Sequence, residues 1–73
     1  MVNTIALQES CNRRGKKLGY VAKEMGISRA SLWRKSRNMT DFTIGERELF
    51  CKVVGITTKA EKNAIFFADE RHD

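Results

Sequence analysis

The side chains best suited to chemistry lie in one short stretch, "MGISRASLWRK" at residues 25–35. It combines two arginines, Arg29 and Arg34, with a tryptophan, Trp33, on a segment that has few apolar residues. A guanidinium group binds a phosphate or the edge of a guanine through paired hydrogen bonds, and a flat indole can lie against sugar and phosphate. These residue types favour binding of a polyanion over catalysis.

Basic residues are concentrated around this stretch. Residues 13–37 contain nine basic residues and one acid, a net charge of +8, whereas residues 1–12 carry −1 and residues 38–73 carry −2. Such asymmetry indicates a polyanionic partner, with nucleic acid the first expectation and an anionic membrane surface the second. A basic face that is only solvated is the remaining interpretation.

Composition argues against other classes of protein. A chain of 73 residues predicts a single domain, 1–73, whose small core would benefit from a partner subunit. No apolar run could span a membrane and the N-terminus does not resemble a signal peptide, so we expect a cytoplasmic protein. Cys11 and Cys51 are expected to be small buried residues, because the single His72 lies near the end of the chain. We expect no enzymatic activity, no cofactor and no metal site.

The elements that position the basic stretch are predicted to be short helices. Apolar residues recur at i, i+3, i+4 and i+7 from Leu18 to Met25, which predicts a helix that ends at Gly26. Ser28 is a suitable N-cap for a second helix over about 29–36. The predicted fold class is therefore all-α, a compact bundle of about five helices.

Three further helices are predicted around this pair, over about 3–14, 44–54 and 59–67. Two of them open with a threonine followed three residues later by a glutamate, the signature of a capping box: the pairs are Thr43 with Glu46 and Thr58 with Glu61. The segment "RNMTDF" is predicted to be a polar loop in which Met39 acts as a plug. The core face of the fourth helix is predicted to consist of Ile44, Phe50, Cys51 and Val54.

Two segments, "YVAKEMGISRASLWRK" and "FTIGERELFCKVVGI", carry a family resemblance. In the first, Ala22 stands four residues before Gly26, the glycine is followed by Ile-Ser, and Leu32 comes six residues after it. Over about residues 7–56 the chain resembles the phage repressor and Cro-like helix-turn-helix proteins, the XRE family. The resemblance implies a lambda-repressor-like fold with the helix-turn-helix at about 18–36. It also implies a transcriptional regulator that binds operator DNA as a homodimer in the nucleoid of a bacterial host.

The sequence departs from the family pattern at three positions. Lys17 stands where a capping serine or threonine is usual, and Leu18 replaces a glutamine that often contacts a phosphate. Arg47 occupies a position of the fourth helix that is usually apolar. The second departure predicts the loss of one phosphate contact.

The resemblance implies that the start of the third helix faces DNA. Candidates for base contacts are Arg29, Ala30 and Arg34. For each arginine the alternative is a phosphate contact or a solvated side chain, and Ala30 either touches a thymine methyl or only favours the helix. Trp33 either lies against the DNA backbone or folds onto the rim of the core. Candidates for phosphate contacts are Lys16, Lys17, Ser28, Ser31, Trp33, Lys35, Arg37 and Asn38.

Three adjacent bulky residues, Ile65, Phe66 and Phe67, are the candidates for a dimer interface. They cannot all face one small core, so at least one is expected to meet a second chain, within a C-terminal segment 58–73 that ends in a frayed tail. The alternative is that Phe66 or Phe67 packs on the first helix. A rival function is a helix-turn-helix protein that acts through protein contacts, such as an antirepressor. A basic membrane-surface module is less favoured, because no wide apolar face backs the basic region.

Overall fold

The computed structural model describes residues 1–67, and within that range it contains five α-helices and no strand, so the predicted all-α class is confirmed. The helices are α1 Thr4–Arg13, α2 Leu18–Met25, α3 Arg29–Ser36, α4 Ile44–Val54 and α5 Lys59–Phe66. None of these helices is long and apolar enough to cross a membrane. The predicted C-terminal tail, from residue 68 onward, lies outside the described residues.

Local capping signals set most of the helix ends. Ser28 caps α3 by accepting a hydrogen bond from the backbone N–H of Ser31. Thr43 and Glu46 form the complete capping box of α4, with both side-chain-to-backbone bonds present, at 2.9 and 3.1 Å. Gly26 ends α2 with a φ of +78°, a left-handed conformation that suits glycine because a Cβ is strained there.

The second predicted capping box is only half correct. Thr58 accepts from the backbone N–H of Glu61, but the glutamate does not return a bond to Thr58. Its carboxylate instead accepts two hydrogen bonds from Arg14, at 2.7 and 2.8 Å, and further ones from Ser10 and Arg13. The hydrogen bonds from Arg14, followed by that from Ser10, lower the pKa of Glu61 to about 2. These contacts fasten α5 to the end of α1.

The core is built from apolar residues of all five helices and of the loop before α4. Phe42 comes from a segment that the sequence predicts to be a polar loop, yet it is buried. Its ring meets Phe50 and Phe66 in edge-to-face contacts, with centroids 5.8 and 5.2 Å apart. Because Phe42 fills this end of the core, two predictions are wrong: Met39 is 62% exposed and Ile44 is 79% exposed.

The apolar residues of α5 also differ from expectation. Ile65 and Phe66 are fully buried in the chain's own core, so their side chains are not available to a second copy. Burial follows from the docking of α5 on α1, where the N–H of Asn3 donates to the carbonyl of Ile65 at 2.7 Å, and from the aromatic cluster around Phe66. Phe67 alone stays partly exposed. The dimer assignment is therefore wrong for Ile65 and Phe66.

Both cysteines are buried, as predicted, and both are free thiols. Burial raises the pKa of the Cys11 thiol and that of the Cys51 thiol. Both groups thus behave as small core residues.

Candidate nucleic-acid interface

The turn between α2 and α3 sets the position of the arginine-rich helix. After Gly26, the N–H of Ile27 donates to the carbonyl of Ala22 at 3.0 Å, which closes α2 before the chain turns into α3. Ala22 and Leu32 are almost completely buried where the two helices pack. Burial of Leu32 directs the opposite side of α3 to solvent. The assignment of this helix pair to a DNA-binding helix-turn-helix stays a prediction.

The exposed side of α3 carries most of the residues singled out from the sequence. Arg29, Ala30, Trp33, Arg34 and Arg37 are all exposed. Arg29, Trp33 and Arg37 are four residues apart, so they follow one line along the helix. We call this set of five residues the α3 face.

Trp33 is held by a neighbouring arginine and lies outside the core. Its side chain is 41% exposed, and the guanidinium carbon of Arg37 lies 5.5 Å from the ring centroid. A stacked guanidinium restricts the indole while leaving much of it accessible. The structure thus places Trp33 on the surface, where its contact with a sugar or a phosphate stays a prediction.

Arg29 lies close to the start of α2. A Cβ on Gly19 would lie 3.4 Å from Cδ of Arg29, so the arginine side chain runs across the glycine. Together with Lys16 and Lys17 it borders an open cleft of about 580 Å³ between α1, α2 and α3. Three cationic side chains around one concave surface form a site suited to an anionic oxygen cluster such as a phosphate.

Tyr20 also borders this cleft, and sequence reasoning missed it. The ammonium group of Lys16 lies 5.2 Å from the centroid of its ring. Lys16 precedes α2, so helical spacing does not relate it to Tyr20 and the sequence offers no signal for this contact.

Two predicted phosphate contacts already have partners within the chain. Nζ of Lys35 lies 3.1 Å from Oε1 of Glu46 and donates to the carbonyl of Asp41 at 3.0 Å. The pKa of Glu46 is lowered by the backbone N–H of Thr43 and, to a smaller degree, by Lys35. Because of this pairing, Lys35 is a weaker candidate for a phosphate contact than Lys16 or Lys17.

Asn38 is engaged in the same way. Its side-chain amide accepts from the N–H of Val2 at 2.7 Å and donates to the carbonyl of the same residue at 3.0 Å. Asn38 has a φ of +63°, a left-handed conformation that asparagine adopts more readily than most residues. Its amide is therefore committed to holding the N-terminus.

The serines around α3 contribute to the structure, and one of them, Ser36, was not among the residues predicted from the sequence. The hydroxyl of Ser28 caps α3, and Ser31 is partly buried. Ser36 is buried and was not singled out from the sequence; its hydroxyl donates to the carbonyl of Trp33 at 2.7 Å. The carbonyl of Ser36 accepts from the hydroxyl of Thr4 at 2.7 Å, which attaches the end of α3 to α1.

Ion pairing reduces the charge that the basic segment presents. Arg13 and Arg14 pair with Glu61, and Lys35 pairs with Glu46, so three of the nine basic residues counted from the sequence are compensated within the chain. Within residues 1–67 no ion pair involves Lys16, Lys17 or the arginines of the α3 face. Apart from Lys23 on α2, the basic residues of this segment that are unpaired within residues 1–67 thus lie on the α3 face and around the neighbouring cleft.

Comparison with protein families, with curated proteins and with solved structures finds no match to this chain. In the part of the chain that the structure describes, no three histidine, cysteine or acidic side chains are grouped so that they could hold a metal ion.

Proposed function

We propose that this protein binds double-stranded DNA in a sequence-specific manner and acts as a small transcriptional regulator of the phage repressor and Cro type. In this proposal α3 enters the major groove, and the protein acts as a homodimer in the cytoplasm of a bacterial host. The observation that carries it is the α3 face, whose three arginines have no acidic partner within residues 1–67.

The roles within the interface follow from these positions. Arg34 lies on the exposed side of α3 and is the best candidate for a bidentate contact with guanine. Arg29 lies beside Lys16 and Lys17, and this cluster suits a phosphate as well as a base. Trp33 with Arg37 offers a stacked pair to the sugar–phosphate backbone.

Selection of bound duplexes from a random pool tests the proposal directly. We expect a consensus made of two half-sites related by two-fold symmetry. Arg34→Ala should relax the preference at one position of each half-site and cost about 1–3 kcal/mol on the selected duplex. Lys52→Ala removes a positive charge from the exposed surface of α4 and serves as the matched control, with its consensus unchanged. Recovery of no consensus, or an Arg34→Ala protein with the wild-type consensus, would contradict the assignment.

A second candidate function is regulation through a protein partner, as in an antirepressor. The exposed side chains of Met39 and Ile44 favour it, since large apolar groups on a surface often mark a protein contact. Retention on heparin and on nonspecific duplex as salt increases separates the two functions. A DNA-binding protein should show steep salt dependence on both, whereas a protein that acts only through another protein should elute early.

A further inference from the structure

Two large aromatic rings, those of Tyr20 and Trp33, lie on the basic surface of the protein. Tyr20 is 48% exposed and Trp33 is 41% exposed, whereas three of the four phenylalanines are buried. Each exposed ring has a cation beside it. The ammonium group of Lys16 lies 5.2 Å from the centroid of Tyr20, and the guanidinium carbon of Arg37 lies 5.5 Å from that of Trp33. The chain therefore keeps most of its rings in the core but leaves these two accessible, next to positive charge.

Arg29 connects the surroundings of the two rings. It borders the cleft of about 580 Å³ that Tyr20 also lines, and it lies one helical turn before Trp33 on α3. We call this continuous area the ring-and-cation surface, and it consists of Lys16, Lys17, Tyr20, Arg29, Trp33 and Arg37. Within residues 1–67 no ion pair involves its four cations, so they are available to the phosphates of a ligand.

Unpaired bases would use such a surface more fully than a duplex does. In a duplex the faces of each base are covered by its neighbours, so a side chain reaches only the groove edges, the sugars and the phosphates. In a single strand the faces are free, and proteins bind them by stacking aromatic side chains on them while cations follow the backbone. Exposed rings beside unpaired cations are the combination that this kind of binding requires.

We propose that the ring-and-cation surface also binds single-stranded DNA, with unpaired bases stacked on Trp33 and Tyr20. Arg29 and the two lysines of the cleft hold the phosphates between the stacked bases. This activity goes beyond recognition of an operator, because it reads no sequence and requires no base pair. The choice of DNA rests on the proposed function, since the strands of an opened operator are the nearest source of unpaired bases. RNA is an outcome of the test.

Fluorescence titration of the full chain with a thymidine oligonucleotide of about 12 nucleotides tests the stacking, since this length lies in the range that single-strand-binding folds cover. Trp33 is the only tryptophan of the chain, so quenching of the emission reports contact at its ring. A strand of equal length without bases carries the same phosphates and serves as the ligand control. The thymidine strand should quench the emission and bind at least about fivefold more tightly than the strand without bases.

Variants that lose a ring but keep an apolar side chain separate stacking from charge. Trp33→Leu and Tyr20→Leu should each weaken binding of the thymidine strand by between about 5-fold and about 150-fold, the scale of one stacked base. Neither should change binding of the strand without bases, and anisotropy of a labelled strand measures both affinities. The matched control is Phe67→Leu, which removes a partly exposed ring 5.0 Å from the guanidinium of Arg47 and should bind like the wild type. Circular dichroism melts check that each variant is folded.

Several outcomes would overturn the proposal. Equal affinity for the strands with and without bases would mean that charge alone explains the binding. Folded leucine variants of Trp33 and Tyr20 that bind the thymidine strand like the wild type would remove the rings from the contact. A uridine RNA strand bound more than about tenfold more tightly than the DNA strand would overturn the assignment to DNA. Failure in these assays leaves operator recognition to the duplex selection, and single-strand binding without a duplex consensus would refute only the proposed function.

Discussion

Two lysines of the basic segment carry the same charge, but the structure gives them different surroundings. Lys17 is exposed at the start of α2 beside the cleft, and no ion pair involves it within residues 1–67. The side chain of Lys35 is only 13% exposed and its ammonium group lies against Glu46. We therefore expect Lys17→Gln to weaken DNA binding and Lys35→Gln to weaken mainly the fold.

The magnitude for Lys17→Gln follows from counterion release. Loss of one phosphate contact makes the log–log slope of affinity against salt shallower by about 0.9. Between 50 and 200 mM salt, the advantage of the wild-type chain over this variant should therefore shrink about 3.5-fold. Lys35→Gln should keep the wild-type slope and lower the free energy of unfolding by about 1 kcal/mol, which corresponds to a fall of about 4–8 °C in Tm.

Fluorescence anisotropy with a labelled duplex, at four salt concentrations, measures both slopes, and thermal melts by circular dichroism measure stability. Equal changes of slope in the two variants would show that Lys35 leaves Glu46 when DNA binds. An unchanged slope for Lys17→Gln would remove Lys17 from the interface and with it the phosphate role of the cleft.

Three further predictions concern the scaffold. Glu61→Gln should lower the free energy of unfolding by about 2 kcal/mol near neutral pH, because the carboxylate accepts hydrogen bonds from two arginines. Since the pKa of Glu61 falls from 4.5 to about 2 on folding, this stabilisation is complete above about pH 4.5 and is lost as the pH falls through 2, where the stabilities of the two proteins should converge. Glu9→Gln, on the exposed side of α1, should follow the wild type at every pH. Gly26→Val should lower the free energy of unfolding by at least about 1 kcal/mol in urea titrations because φ is +78°, and a wild-type midpoint would contradict the left-handed turn. Phe42→Ala should cost about 3–5 kcal/mol in the same titrations as a core truncation, while a loss below about 1 kcal/mol would place Phe42 outside the core.

Helix ends could be predicted from the sequence because their causes are local. Ser28, Thr43 and Gly26 act on backbone groups no more than four residues away, and each lies where its residue type predicts. The same reasoning failed at Glu61, because its partners lie on another helix. A carboxylate that meets two guanidinium groups gains more than one that returns a single bond to its own cap.

The buried residue of the loop before α4 could not be predicted, because its burial depends on contacts with other helices and not on local signals. Met39, Phe42 and Ile44 are all apolar, but the loop brings only one of them to the core. Which one enters depends on the space left by Phe50 and Phe66, which lie on α4 and α5. Without a periodic element, spacing says nothing about which side chain points inward.

The charge along the sequence predicts where the basic segment lies, but only the structure shows which of its side chains are paired with acids. The sequence identifies the basic segment, but it does not tell that Arg13, Arg14 and Lys35 face acids from α4 and α5. Each of these pairs joins two helices, whereas Arg29 and Arg34 pair with no acid in the described part of the chain. The cations of the segment therefore separate into those that hold the fold and those available to a ligand.

This separation bears on how α3 would be used. At its C-terminal end the helix is attached through Ser36 to α1 and through Lys35 to α4, and Asn38 holds the N-terminus just beyond it. At its start the turn at Gly26 fixes it against α2. A helix fastened at both ends loses little conformational freedom when it binds, and a bidentate base contact requires such a fixed approach. In the proposed DNA complex, Lys35 and Asn38 would thus support specificity indirectly, by holding the helix that carries Arg34 in one orientation.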